Sequence, residues 1–109
     1  LVGADTVLPD GGVVNKVGTC PLALAADRAG VPAWVVCARD KVSPDAVEYA
    51  EAGDPTEVYD GDASLTVETP LFEATPSDLF AGIVTDAGVL DADGVARVAR
   101  DHRALADWA

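Results

Sequence analysis

The sequence predicts an α/β domain: three layers, Rossmann-like, with a mainly parallel sheet. Three observations carry this. Leu1-Val2 read as the end of a buried strand, an Ala/Leu-rich helical stretch follows at 19–29, and a continuous apolar run, Pro32 to Ala38, comes directly after it. Strand, helix and strand in that order form a right-handed crossover unit. A strand that is apolar throughout is one buried on both faces, as in a parallel sheet. With 109 residues the chain is long enough for one domain with a modest core.

The elements follow in order. Gly3-Ala4 leads to Asp5, a carboxylate placed where the first strand runs out. In an open α/β sheet, ligands sit in the crevice beyond the carboxyl ends of the strands. Residues 6–14 (TVLPDGGVV) read as a connection, with Pro9, Asp10, Gly11 and Gly12 as turn signals and Val13 and Val14 packed under the site. Asn15-Lys16 and Gly18-Thr19 then open the helix, with Thr19 as N-cap and Pro21 in the first turn. Leu22, Ala25, Ala26 and Ala29 share one face at helical spacing, and Gly30 closes the helix. The apolar strand ends at Arg39-Asp40 and meets Lys41, which puts Lys41 and Asp5 on the same edge of the sheet.

The pattern weakens from Val42 to Thr69, where a short helix near Pro44 to Ala50 precedes a long excursion. Thr75 is placed as the N-cap of another short helix, with Pro76 first and Asp78 in its first turn. Ala81 to Thr85 form a strand ending at Asp86, and Gly88 turns the chain. A last helix is expected from Asp93 to Trp108, with Val95, Val98, Ala99, His102, Leu105 and Ala106 as its apolar stripe. Asp93, Arg97 and Asp101 stand four apart on its other side, as do Arg103 and Asp107. A lone histidine within an apolar stripe is a packing residue rather than a ligand.

Nineteen acidic residues stand against seven basic ones, a net charge of −12. That excludes the basic face which nucleic acid or an anionic membrane requires. No run is long enough for a membrane span, and no signal peptide is visible. The two cysteines form no obvious staple, as in a reducing cytoplasm, and Cys20 and Cys37 read as small buried hydrophobes. Abundant Asp with Ala, Val and Gly in place of larger apolar residues points to a high-salt cytoplasm, where a Debye length of about 3 Å shields the surface from itself. Only two lysines survive, Lys16 and Lys41, each beside a motif. The chain has no Met and starts inside a strand, so it is expected to be a piece of a longer protein.

No GxGxxG or P-loop is present, no His or Cys cluster has ligand spacing, and the only His lies on the last helix. Neither a metal nor a cofactor is therefore expected. What remains is Asp5 with Asn15, Lys16, Gly18, Thr19 and Lys41: an acid/base group, an amide, two ammonium groups and a small-residue turn at a helix start. Those are the parts of a site for a phosphorylated, hydroxyl-rich small molecule.

The string GAD at 3–5, NKVGT at 15–19 and LALAADRAGVPAWVV at 22–36 resembles the C-terminal domain of the initiation factor 2B-like family. The likeness continues through GDPTEV at 53–58, FEATP at 72–76 and IVTDAGVL at 83–90. The family holds the alpha, beta and delta subunits of translation initiation factor 2B and two aldose–ketose isomerases, for methylthioribose-1-phosphate and ribose-1,5-bisphosphate. The resemblance implies that residues 1–109 are a C-terminal Rossmann-like domain whose helical N-terminal domain is absent. By that likeness Asp5 is the catalytic aspartate that hands a proton to the ring oxygen in a closed site. Asn15 and Lys16 match the pair that holds substrate hydroxyl and phosphate oxygens, Gly18-Thr19 complete that motif, and Lys41 matches a lysine after the strand. The partner cysteine lies upstream in the family and matches neither Cys20 nor Cys37, so this chain alone holds half a site. The resemblance further implies a phosphorylated sugar or nucleotide-derived ligand, a homo-oligomer paired through this domain, a cytoplasmic location and a halophilic archaeal source. Two functions fit: a ribose-1,5-bisphosphate isomerase, or a regulatory subunit whose pocket senses a phosphorylated ligand.

Overall fold

The computed structural model describes residues 1–46 and 52–106. It contains six short strands, β1 (Thr6–Val7), β2 (Val13–Lys16), β3 (Trp34–Val36), β4 (Phe72–Thr75), β5 (Gly82–Thr85) and β6 (Gly88–Leu90), with helices α1 (Thr19–Arg28) and α2 (Ala92–Ala106). Single helical turns occupy Arg39–Lys41, Pro55–Glu57 and Ser77–Leu79.

The architecture is α/β, but the strands divide into two mixed or antiparallel sheets rather than one mainly parallel sheet. One has the order β1-β2-β4, antiparallel throughout. The other has the order β3-β5-β6, with β3 and β5 parallel and β6 antiparallel. Connection length explains the β1–β2 and β5–β6 pairs: parallel neighbours need a crossover, whereas a tight turn returns the chain antiparallel. The stretch 6–14 is not a plain connection. Leu8 N–H donates to Gly12 O at 2.7 Å and Gly11 N–H to Leu8 O at 2.9 Å, folding β1 back on β2. Asp86-Ala87 do the same between β5 and β6, so Gly88 begins a strand.

The predicted crossover is present at its smallest scale. Val2 pairs in parallel with Val35, donating to Trp34 O at 2.9 Å and accepting from Val36 N–H at 2.8 Å. Val2, β3 and β5 therefore run in one direction, with α1 in the connection between the first two. β3 is central in the hydrogen-bond ladder but buried on one face only. Val35 is fully buried whereas Val36 is 45% exposed. On that second face Trp34 lies over Gly82, where a Cβ would stand 2.7 Å from the ring.

α1 begins as expected, but its N-cap is Gly18 and Thr19 is its first helical residue. Its inward residues are Thr19 and Ala23, while Leu22 is 58% exposed. The expected stripe through Leu22 and Ala25 is thus rotated away from the core. Gly30, at φ +72°, ends the helix: its N–H reaches Asp27 O and the Val31 N–H reaches Ala26 O, which satisfies two terminal carbonyls. Phe72–Thr75 form a strand, so Thr75 does not cap a helix. It is 1% exposed, and Pro76 precedes the single turn Ser77–Leu79. The short helix expected near 44–50 falls mostly on residues outside those described; Ser43–Ala46 are not helical.

The core is built from small residues: Val7, Val13, Val35, Val42, Ile83, Val95, Val98 and Ala99. Phe80 packs against it and fills the domain's own interior, while Trp108, the expected end of the last helix, lies outside the described residues. α2 buries Gly94, Val95, Val98 and Ala99, but Leu105 at its far end is exposed. Among the described residues, charges of α2 pair across the fold: Arg39 with Asp101 at 3.4 Å and Arg103 with Asp45 at 2.7 Å. His102 is a packing residue. Its Nδ1 stands 2.7 Å from Val42 O, so an N–H there donates to the carbonyl. Replacing His102 with Ala is expected to cost about 1 kcal/mol, the worth of one intramolecular hydrogen bond. Urea unfolding checks it: an unchanged midpoint would mean the bond does not hold α2 to the 39–45 segment.

Candidate functional site

Two local devices assemble the expected site residues. The first is the β1–β2 hairpin. Pairing Thr6 with Val14 carries Asp5 back to β2, where its backbone N–H donates to Val14 O at 2.9 Å. The second is a lock on the turn from β2 into α1. The Thr19 hydroxyl donates to Lys16 O at 2.8 Å and accepts from Asn15 Nδ2 at 3.1 Å. Gly18 takes φ +103°, a left-handed conformation that a side chain would strain. The N–H groups of Gly18 and Cys20 both donate to Glu73 Oε1, at 3.1 and 2.9 Å. A helix N-terminus attracts anions, and here it already holds a carboxylate of the chain itself.

Side chains alternate along β2. Asn15 turns toward α1 and meets Thr19; Lys16, next in the strand, takes the opposite direction and is exposed. Lys41 arrives by another route. Val7 pairs in parallel with Val42, and the Ser43 N–H donates to Val7 O at 2.8 Å, tying the segment after β3 to β1. Asp5, Lys41 and Asp86 all follow the carboxyl ends of the parallel strands. Asn15, Lys16, Gly18 and Thr19 thus share one turn, and Asp5 and Lys41 share one edge. Among the described residues no hydrogen bond or ion pair joins Asp5, Lys16 and Lys41 to one another. A cavity of about 340 Å³ lies elsewhere, against the Ser77–Leu79 turn, β5 and the start of α2, lined by Phe80, Ile83, Leu90 and Val95. Asp91 at its wall is occupied in accepting the Gly94 N–H at 2.7 Å, which caps α2.

Two features escaped the sequence reading. Glu73 carries no local signal, because it matters only once β4 lies beside β2, its Cα opposite that of Asn15. The other is the charge around Cys37. Burial pushes this thiol above its ordinary value; Lys41 opposes the rise and Asp86 adds to it. The fold thus favours the neutral thiol. Its contribution to stability is complete below the ordinary thiol pKa and is lost as pH climbs through the raised folded value. Lys41→Ala is expected to slow Cys37 alkylation by iodoacetamide at pH 8 several-fold, because the charge that opposes the rise is gone. Mass spectrometry of the modified thiol reads this, and an unchanged rate would place Lys41 away from Cys37 in solution.

Among the described residues no helix is long and apolar enough to cross a membrane, and no group of His, Cys, Asp and Glu could hold a metal ion. The model of the initiation factor 2 subunit family matches residues 1–92. The chain belongs to that family. Ribose 1,5-bisphosphate isomerase of Haloterrigena turkmenica is 36% identical over 93% of this chain and 36% of its own length. Among solved structures in the family, 5-methylthioribose 1-phosphate isomerase of Pyrococcus horikoshii superposes with a TM-score of 0.73 at 27% identity, covering 95% of this chain and 32% of that one. Translation initiation factor eIF-2B of the same organism gives a TM-score of 0.68 at 30% identity, over 82% of this chain and 32% of that one. The family relatives include sugar-phosphate isomerases, and the chain spans about a third of the length of those it matches.

Proposed function

We propose that residues 1–109 are the C-terminal, three-layer Rossmann-like domain of a sugar-phosphate aldose–ketose isomerase of the ribose-1,5-bisphosphate type. The observation that carries the reading is the hairpin that brings Asp5 beside Asn15 at the turn into α1, so that a carboxyl group and an amide stand together, with Lys16 next in the strand. The similarity to the Haloterrigena isomerase supports the substrate class. In this reading Asp5 gives a proton to the ring oxygen as the bond from that oxygen to C1 breaks. A hydride moves from C2 to C1, and the C2 hydroxyl loses its proton to a base outside this chain. Lys16 and Lys41 meet phosphate oxygens, and Asn15 a hydroxyl. The protein works in the cytoplasm of a halophilic archaeon, as a homo-oligomer paired through this domain, and needs no cofactor.

The test is calorimetric titration of ribose 1,5-bisphosphate into the full-length protein in molar salt, with an isomerisation assay beside it. Binding with turnover supports the reading. Binding without turnover overturns it in favour of a ligand-sensing regulatory subunit, and neither would mean a different ligand.

A further inference from the structure

We propose that Glu73 is a positioning residue for the substrate-binding turn, and that its carboxylate holds the N-terminus of α1 closed to the substrate's phosphate. The inference rests on the isomerase reading above. Four observations converge on it. Glu73 Oε1 accepts two backbone N–H groups, from Gly18 and from Cys20, across a separation of more than fifty residues. The β2–β4 register sets Glu73 opposite Asn15, so the residue that fixes the helix start also flanks the amide of the site. Asn15 and Lys16 are tied to the same turn through the Thr19 hydroxyl. Finally, Gly18 spends its left-handed conformation on presenting its N–H to Glu73.

The consequence concerns where the phosphate goes. A dianion placed at the α1 N-terminus would lie against an existing carboxylate that already uses the Gly18 and Cys20 donors. Like charges at such range repel, and the two N–H groups cannot serve both anions. Gly18 and Thr19 therefore shape the turn without touching phosphate, which is left to the lysine side chains. Glu73 acts on the reaction through Asn15 and Lys16, and contacts no reacting atom.

Two variants of the full-length protein separate position from charge. Glu73→Gln keeps an oxygen that accepts both N–H groups but removes the charge; Glu73→Ala removes both. The Ala variant is expected to lose tenfold or more in kcat/KM for ribose 1,5-bisphosphate, and the Gln variant to stay within about threefold of wild type in both kcat and KM. If instead either variant binds the substrate tenfold tighter than wild type, the carboxylate was opposing a phosphate at the α1 N-terminus, and the proposal is overturned. Amide hydrogen exchange on the ligand-free protein gives a readout independent of activity. Exchange at Gly18 and Cys20 should speed up at least tenfold in the Ala variant and return near the wild-type rate in the Gln variant. Equal rates in all three proteins would overturn the lock. If the wild type neither binds nor turns over the bisphosphate, the isomerase reading fails, while the exchange data still decide whether Glu73 fixes the turn.

Discussion

Asp5→Asn in the full-length protein is expected to bind ribose 1,5-bisphosphate about as tightly as wild type while losing roughly 10²- to 10⁴-fold in turnover. The amide keeps the size and the hydrogen-bonding capacity of the carboxyl group but cannot give up a proton to the ring oxygen. A group that acts only as the proton moves contributes to the transition state and little to the ground state, so its loss shows in kcat and leaves affinity alone. The structure makes this substitution clean. Asp5 is exposed, and what anchors it is its backbone N–H, bonded to Val14 O, which the variant retains. An unfolded or weakly folded variant is therefore not expected, and far-UV dichroism can verify that. Equal loss of affinity and turnover would instead make Asp5 a binding residue; unchanged turnover would remove it from the reaction.

The turn that gathers Asn15, Lys16, Gly18 and Thr19 is legible in the sequence because its parts are local. Asn15, Lys16, Gly18 and Thr19 fall within one turn, and a turn is legible from glycine, a small hydroxyl residue and a helical stretch behind it. The Gly30 terminus is legible for the same reason, and the Val2–β3 pairing follows from the strand–helix–strand order. What could not be read depends on partners distant in sequence. β4 is a strand because β2 offers it an antiparallel edge, and nothing in Phe72–Thr75 alone separates that from the lead into a helix. Thr75 and Pro76 do look like a cap and a first turn, yet the burial of Thr75 between elements overrides the local signal. The face that α1 buries differs from the expected one for a related reason. With alanine and leucine on nearly every side, the helix has no sharp amphipathic stripe, and the choice falls to the lock at Thr19.

Lys16→Ala is expected to weaken binding of ribose 1,5-bisphosphate by roughly tenfold to a hundredfold, with no change in thermal stability. A hydrogen bond to a charged group is worth about 1.5–3 kcal/mol, which converts to that range of affinity. Because Lys16 helps ground state and transition state alike, the loss should appear in KM more than in kcat. The stability half of the prediction follows from the structure. Lys16 is exposed, and among the described residues its side chain makes no ion pair, so truncating it leaves nothing buried without a partner. Asn15 is the contrasting control. Its amide donates to Thr19 Oγ1 inside the turn, so Asn15→Ala should lower affinity and also cost about 1 kcal/mol of stability. Calorimetric titration with thermal melts of both variants, run at low and at molar salt, distinguishes the two. Should Lys16→Ala leave affinity unchanged at both salt concentrations, the ammonium group does not meet the phosphate, and Lys41 at the carboxyl edge is left to carry that charge alone.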